Sequence, residues 1–116
     1  MNRGDVVLLD WPSAGGGGSK IRPALVVQKD PDNQRLTNTI VAMITTVTRR
    51  AMEPTQLLLD ISTPEGQNTG LRQNSVVNCV NLFTIEQTKV LRTLGRVSAN
   101  HLQQIDRCLK AALALP

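Results

Sequence analysis

The chain is poor in aromatic residues. Trp11 and Phe83 are the only residues of this kind, and tyrosine is absent. A core for 116 residues must therefore be aliphatic, built from valine, leucine and isoleucine. With 41% hydrophobic and 19% charged residues, the composition excludes a disordered chain and predicts one globular domain over residues 1–116.

Metal ligands are also scarce. His101 is the single histidine, and the two cysteines, Cys79 and Cys108, fit no zinc-ligand spacing. The acidic residues are isolated, and no two of them share an obvious face. We therefore expect no metal site and no cofactor, and we expect both cysteines to be buried and reduced. We place His101 on the exposed side of a C-terminal helix, which argues against a histidine-activated nucleophile.

Long apolar runs are missing as well. No run approaches the roughly 18 apolar residues of a membrane span. The first residues do not form a secretory signal, since Asp5 and Asp10 bracket only four apolar residues. We therefore expect a cytoplasmic protein with no membrane association. The net charge of +4 favours, weakly, an anionic partner such as nucleic acid.

The patterns that are present indicate short strands followed by one helix. Runs of β-branched and aliphatic residues between turn signals predict six strands, at 6–9, 24–28, 39–46, 55–60, 75–81 and 91–97. Pro23 is expected at the start of the second strand, where no ladder donor is needed. Asp30–Asn33 and the region of Ile85 are expected to be turns. Ser98 predicts the N-cap of an amphipathic C-terminal helix, so the fold class is mainly β.

Four consecutive glycines stand before Ser19 and Lys20. A P-loop needs Gly-Lys-Ser/Thr at the start of a helix, whereas here serine precedes lysine and a strand follows. A dinucleotide-binding fingerprint would need a further glycine at a spacing that this run lacks. We interpret the run as a flexible loop between the first two strands.

One class of reaction suits a chain that lacks both metal ligands and a histidine base. In RNA the adjacent 2′-hydroxyl is the nucleophile, so a protein need only align it and neutralise charge on the scissile phosphate. Arg22 can bind phosphate through two hydrogen bonds, and the hydroxyl of Thr45 or Thr46 can donate to a phosphoryl oxygen. From the residues alone, a solvated arginine and ordinary strand threonines explain the same pattern better than a shared site does.

Six segments follow one another in an informative order. They are "RGDVVLLDWP" (3–12), "RPALVV" (22–27), "IVAMIT" (40–45), "SVV" (75–77), "FTIE" (83–86) and "LGRVS" (94–98). Together with the final helix they resemble the MazF/PemK family of toxin endoribonucleases. The resemblance implies a small SH3-like β-barrel that forms a homodimer, cleaves single-stranded RNA (mRNA) in a sequence-specific manner without metal, and is blocked by a cognate antitoxin protein. The implied products are a 2′,3′-cyclic phosphate and a 5′-hydroxyl.

The same resemblance assigns residues to roles. It puts the catalytic arginine at Arg22, to stabilise charge on the phosphorane, and the catalytic threonine at Thr45, to orient the phosphate. Candidate RNA-binding residues are Ser19, Lys20, Thr46, Arg49, Arg50 and Arg72. Many family members carry Glu-Gln in the loop before the Arg-Pro step, where this chain has glycines, Ser19 and Lys20. The chain therefore lacks a carboxylate that could help to activate the 2′-hydroxyl.

Two alternatives stay open. The same barrel occurs in CcdB-type toxins, which bind DNA gyrase and hydrolyse nothing, although such a toxin would not need Arg22. The second alternative is an inactive barrel that binds only RNA or a partner protein. We further predict that the glycine loop is mobile in the free protein and becomes ordered when a ligand binds, because ordering four glycines costs conformational entropy.

Overall fold

The computed structural model describes residues 1–12 and 19–116, and it describes Pro12 and Ser19 by their backbone only. The strands are β1 (Asp5–Pro12), β2 (Ser19–Val26), β3 (Asn38–Thr45), β4 (Gln56–Leu59), β5 (Ser75–Glu86) and β6 (Val90–Arg96). The helices are α1 (Asp30–Arg35), α2 (Pro64–Gln67) and α3 (Ala99–Leu113), with a 3₁₀ turn at Gln87–Lys89. The predicted mainly β fold with a C-terminal helix is confirmed.

The six strands form one antiparallel sheet in the order β4-β5-β3-β2-β1-β6. Over the described residues, the edge strands β4 and β6 do not pair with each other. The segment after α2 bridges them instead, and the Arg96 N–H donates to the Asn68 carbonyl at 2.9 Å. A Cβ on Gly95 would lie 2.2 Å from that carbonyl oxygen, so this close approach requires glycine.

Both faces of the central strands are buried. Because successive residues of a strand point to opposite faces, Val6 and Val7 belong to different hydrophobic clusters. The cluster on the α3 side contains Val6, Leu25, Ala42, Ile44, Leu57, Leu59, Val77, Cys79, Val97, Ile105 and Cys108. The cluster on the other side, which we call the Trp11-side cluster, contains Val7, Leu9, Trp11, Ala24, Val26 and Val41. The predicted aliphatic core is confirmed, with Trp11 as its aromatic member.

Two segments differ from the sequence predictions. Pro23 lies inside β2 rather than at its start, because β2 pairs with β1 from Ser19 onward and its ladder with β3 begins only at Ala24. Asp30 begins α1 instead of a turn. Buried Asn33 anchors this helix, since its Nδ2 donates to the Gln28 carbonyl at 2.9 Å and its Oδ1 accepts from Thr39 Oγ1 at 2.6 Å.

The predicted turn near Ile85 is also wrong. β5 continues through this residue to Glu86, because Ile85 pairs with Thr39 of β3 and packs against the Trp11-side cluster. The chain then turns through the 3₁₀ segment that follows, and Gln87 stabilises it. Its side-chain Nε2 donates to the carbonyls of Asn33 and Leu36 at 2.8 and 3.0 Å.

The predicted cap of α3 is confirmed, but the predicted exposure of His101 is wrong. Ser98 Oγ accepts from the His101 N–H at 3.0 Å, as an N-cap should. The buried stripe of the helix is His101, Ile105 and Cys108. His101 is only 8% exposed because it faces the α2 segment, where its Nε2 lies 3.8 Å from Glu65 Oε2.

Both cysteines are free and buried, as predicted. Burial raises the pKa of the Cys79 thiol to about 12. No helix among residues 1–12 and 19–116 has the length and apolar character to cross a membrane.

Candidate active site

Arg22 lies in the part of β2 that extends beyond the ladder with β3. Its partner in β1 is Leu9, a member of the Trp11-side cluster. The side chain is exposed, and no ion pair or hydrogen bond to it is found within the described part of the chain. Its guanidinium charge can therefore act on an external anion without first breaking an internal contact.

Thr45 is the last residue of β3, where it pairs with Val76 of β5 and is half-buried. Its Oγ1 accepts a hydrogen bond from the Val47 N–H at 3.1 Å. This contact holds the oxygen in one place and uses only an acceptor lone pair. A hydroxyl has one donor proton as well, so Thr45 retains a proton that it can donate to an anionic oxygen.

The register of β2 and β3 relates these two residues. The ladder pairs Val26 with Val41 and ends at Ala24 with Met43. If this register is extended by two residues along each strand, Arg22 lies opposite Thr45. Because residues opposite each other in an antiparallel pair share a face, this supports a guanidinium and a hydroxyl that project from the same side of the sheet. Their catalytic roles stay a prediction.

Around Arg22 the structure adds residues that the sequence analysis did not assign. Trp11 pairs with Lys20 in the β1–β2 ladder, and its ring packs edge to face against Phe83, with 4.7 Å between ring centroids. Asn81 Nδ2 donates to Met43 Sδ at 3.7 Å. Asn81 lies in an irregular part of β5. Met43 of β3 pairs with Asn78, whereas the preceding residue, Ala42, pairs with Leu82, so the residues between Asn78 and Leu82 have no partner in β3.

The other predicted RNA-binding residues are dispersed. Thr46 and Arg49 are exposed in the segment after β3. Arg50 is exposed in the same segment, and its Nε lies 3.7 Å from Glu53 Oε2, so the two side chains together carry no net charge. The backbone of Ser19 pairs with Pro12 at the start of β2. The glycine run, and with it the predicted ordering of the loop on ligand binding, lies outside the described residues.

Arg72 lies elsewhere. With Leu8 and Arg92 it borders an open cleft of about 500 Å³ beside β6. Leu8 and Leu9 point to opposite faces of β1, and Arg22 is opposite Leu9. The alternation therefore separates Arg72 from Arg22, and the register does not support a shared site for them.

The groups available in this region favour charge stabilisation rather than metal chemistry. Within residues 1–12 and 19–116, no three histidine, cysteine or acidic side chains gather in a way that could hold a metal ion. Arg22 supplies a permanent positive charge, Lys20 a second one, and Thr45 a neutral donor. Such a set can bind a phosphodiester and stabilise negative charge that develops on it.

Comparison with known proteins identifies the family. Residues 2–113 match the family model described as "PemK-like, MazF-like toxin of type II toxin-antitoxin system". The chain belongs to this toxin family. The resemblance seen in its sequence segments is therefore confirmed.

Individual members of the PemK/MazF family are similar over nearly the whole chain. Endoribonuclease MazF6 of Mycobacterium tuberculosis is 36% identical over 117 residues, which cover 99% of this chain and 98% of that protein. The solved structure of M. tuberculosis toxin MazF-mt6 has a TM-score of 0.78 at 27% identity and covers 97% of this chain and 98% of that one. A mycobacterial endoribonuclease in complex with its cognate antitoxin has a TM-score of 0.77 at 25% identity, with coverage of 100% and 97%. The predicted MazF-like barrel fold is confirmed.

Proposed function

We propose that this chain is the toxin of a toxin–antitoxin pair and that it acts as an endoribonuclease on single-stranded RNA. The observation that carries the proposal is the β2–β3 register, which ends at Ala24 with Met43 and, if extended by two residues, would set Arg22 opposite Thr45 on one face. Membership of the PemK/MazF toxin family supports it, as does the relative named an endoribonuclease.

In the proposed reaction the 2′-hydroxyl of the RNA attacks the adjacent phosphorus. The bond from phosphorus to the 5′-oxygen breaks, which leaves a 2′,3′-cyclic phosphate and a 5′-hydroxyl. Arg22 stabilises the charge that builds up on the phosphoryl oxygens, and Thr45 donates a hydrogen bond that orients them. Solvent accepts the proton of the 2′-hydroxyl and supplies one to the leaving oxygen, so the reaction needs neither a metal nor a histidine.

The partners follow from the same proposal. Lys20, Thr46, Arg49 and Arg50 contact the RNA near the cut, with Ser19 at the entry to β2. The cognate antitoxin offers an acidic segment with apolar residues that folds on this basic surface. The toxin acts as a homodimer and works in the cytoplasm, where its mRNA substrate is found.

The test is cleavage of single-stranded RNA by the purified chain in EDTA, with the new 5′ ends mapped and their hydroxyl groups identified. Arg22→Ala should lower the cleavage rate by about 10²- to 10³-fold, the usual cost of losing one donor to a developing oxyanion. Arg107→Ala is the matched control, because Arg107 is exposed on α3, which packs on the opposite face of the sheet from the Trp11-side cluster and Arg22. Metal-dependent cleavage, or full activity of Arg22→Ala, would refute the proposal. A trapped gyrase–DNA cleavage complex without RNA cleavage would favour the CcdB-type alternative.

A further inference from the structure

We propose that Phe83 is a stacking platform for one base of the RNA beside the bond that is cut, and that Trp11 holds the platform in place. The inference rests on the proposed function and adds to it a residue that contacts a base of the RNA substrate. It assigns a role to Trp11 and Phe83, the one tryptophan and the one phenylalanine of a chain without tyrosine.

The two rings differ in exposure. Trp11 is 7% exposed and belongs to the Trp11-side cluster, whereas Phe83 is 41% exposed. Their centroids are 4.7 Å apart with an angle of 75° between the ring planes, an edge-to-face contact. The buried ring thus fixes the orientation of the outer one, and the outer ring keeps a large apolar surface in contact with water.

The pair lies next to Arg22. Leu9 pairs with Arg22 and Trp11 pairs with Lys20, so Trp11 and Arg22 are diagonal neighbours on one face of the β1–β2 ladder. Diagonal neighbours in such a ladder have their Cα atoms about 7–8 Å apart, which is within reach of an aromatic side chain. A chain bound with its phosphate at Arg22 therefore passes close to the Trp11–Phe83 pair.

The surroundings of the pair suit a nucleotide. A cleft of about 200 Å³ borders Trp11, with Asp10, Thr84 and Lys89 among its lining residues. Thr84, Glu86 and Lys89 at this cleft are exposed. Aromatic side chains that bind single-stranded RNA stack on unpaired bases while nearby polar groups contact the base edges. An aromatic surface, a cationic side chain and polar groups therefore occur together beside Trp11, the diagonal neighbour of Arg22.

The experiment pairs one protein change with one RNA change. Cleavage mapping first defines an oligonucleotide that spans the cut site. A 2′-deoxy nucleotide at the attacking position then prevents cleavage, and a set of such oligonucleotides each lacks one base. For the wild-type protein, removal of the stacked base should weaken binding by about 5- to 150-fold at one position, the range measured for base–aromatic stacking.

Phe83→Leu is the informative variant, because it keeps most of the apolar contact with Trp11 and removes the aromatic face. It should bind the intact oligonucleotide with a loss of similar size, and it should lose nothing more when the stacked base is removed. Phe83→Tyr should restore binding. Leu113→Ala is the matched control, since Leu113 is 54% exposed at the end of α3 and its loss should leave all these affinities unchanged.

The outcomes separate the two claims. If Phe83→Leu and base removal weaken binding independently at every position, Phe83 stacks on no base and the inference is wrong, while the ribonuclease proposal stands. If Phe83→Leu binds the intact oligonucleotide as well as the wild type does, the inference is equally wrong. If the wild-type protein cleaves no RNA, the proposed function fails and the inference fails with it.

Discussion

Replacement of Thr45 by valine tests the hydroxyl separately from the fold. Valine has nearly the same shape as threonine and an equal or better preference for strands, so β3 should form as before. Among residues 1–12 and 19–116, the hydroxyl oxygen has one protein hydrogen bond, the exposed one that it accepts from the Val47 N–H. A hydrogen bond of that kind contributes about 0.5–1.5 kcal/mol, which limits the expected loss in the free energy of unfolding.

The expected loss of activity is larger than the loss of stability. A hydrogen bond to a charged group is worth about 1.5–3 kcal/mol, so Thr45→Val should lower kcat/KM for RNA cleavage by about 10- to 150-fold. Thr45→Ser, which keeps the hydroxyl, should recover most of the rate. Single-turnover cleavage of a defined oligonucleotide measures the rate, and urea unfolding measures the stability.

The control for this substitution is Thr48→Val. Thr48 is exposed three residues beyond Thr45, and its backbone carbonyl accepts the hydrogen bond from the Ala51 N–H that valine preserves. Thr48→Val should therefore change neither quantity. The reasoning is refuted if Thr45→Val cleaves RNA as fast as the wild type, or if its activity falls only in proportion to the fraction unfolded.

Three further predictions concern the fold. Gly95→Ala should lower the free energy of unfolding by at least about 1–3 kcal/mol in urea titrations, because its Cβ would overlap the Asn68 carbonyl; an unchanged midpoint would contradict this. The hydrogen bond from Ser98 lowers the pKa of Glu65 from its ordinary value of 4.5. The contribution of this hydrogen bond to the free energy of unfolding is therefore present above pH 4.5 and is lost as the pH falls through the pKa of Glu65 in the folded protein. Unfolding measured across this pH range should not show that loss in Glu65→Gln. Since the pKa of Cys79 is raised to about 12, an alkylating reagent at pH 8 should modify this thiol only after unfolding, and rapid modification of the native protein would contradict its burial.

The sequence predicted the strands well where local pattern decides them. β3 and β4 differ from their predicted bounds by one residue at each end, because β-branched and aliphatic runs between turn residues favour strands strongly. Asp30–Asn33 was mispredicted because Asp, Pro and Asn favour both turns and the first turn of a helix. The environment of Asn33 decided between them, since its buried amide has partners in Gln28 and Thr39 that no local pattern reveals.

His101 shows a second limit of local pattern. Local pattern placed His101 on the exposed side of the C-terminal helix. The most buried stripe is His101, Ile105 and Cys108, and the imidazole Nε2 lies 3.8 Å from Glu65 Oε2. Local pattern does not reveal this neighbour, because Glu65 lies 36 positions away in the chain.

The candidate site was only partly predictable. Arg22 and Thr45 could be named from residue chemistry and from the family resemblance. Their alignment depends on the β2–β3 register, which strand patterns in a single sequence do not specify. The contact between Trp11 and Phe83 depends on how the sheet curls to bring β1 against β5, so the scarcity of aromatic residues was the one available sign of it.

The end of the β2–β3 ladder has a consequence for how stability is distributed. β2 and β3 are interior strands, and their paired amides should be among the last to exchange hydrogen with solvent. Arg22 and Thr45 lie two residues beyond the last pair of this ladder, Ala24 with Met43, and Pro23 between Arg22 and Ala24 has no N–H to contribute. The edges of β2 and β3 that face each other at the two candidate residues can therefore adjust to a bound phosphodiester without the loss of a β2–β3 hydrogen bond, while the pairing of Arg22 with β1 and of Thr45 with β5 stays in place. We expect RNA binding to slow amide hydrogen exchange around residues 22 and 45 and to leave it unchanged at 24–26 and 41–43. This result would show that the β2–β3 ladder is rigid while the backbone at the candidate site adapts to its ligand.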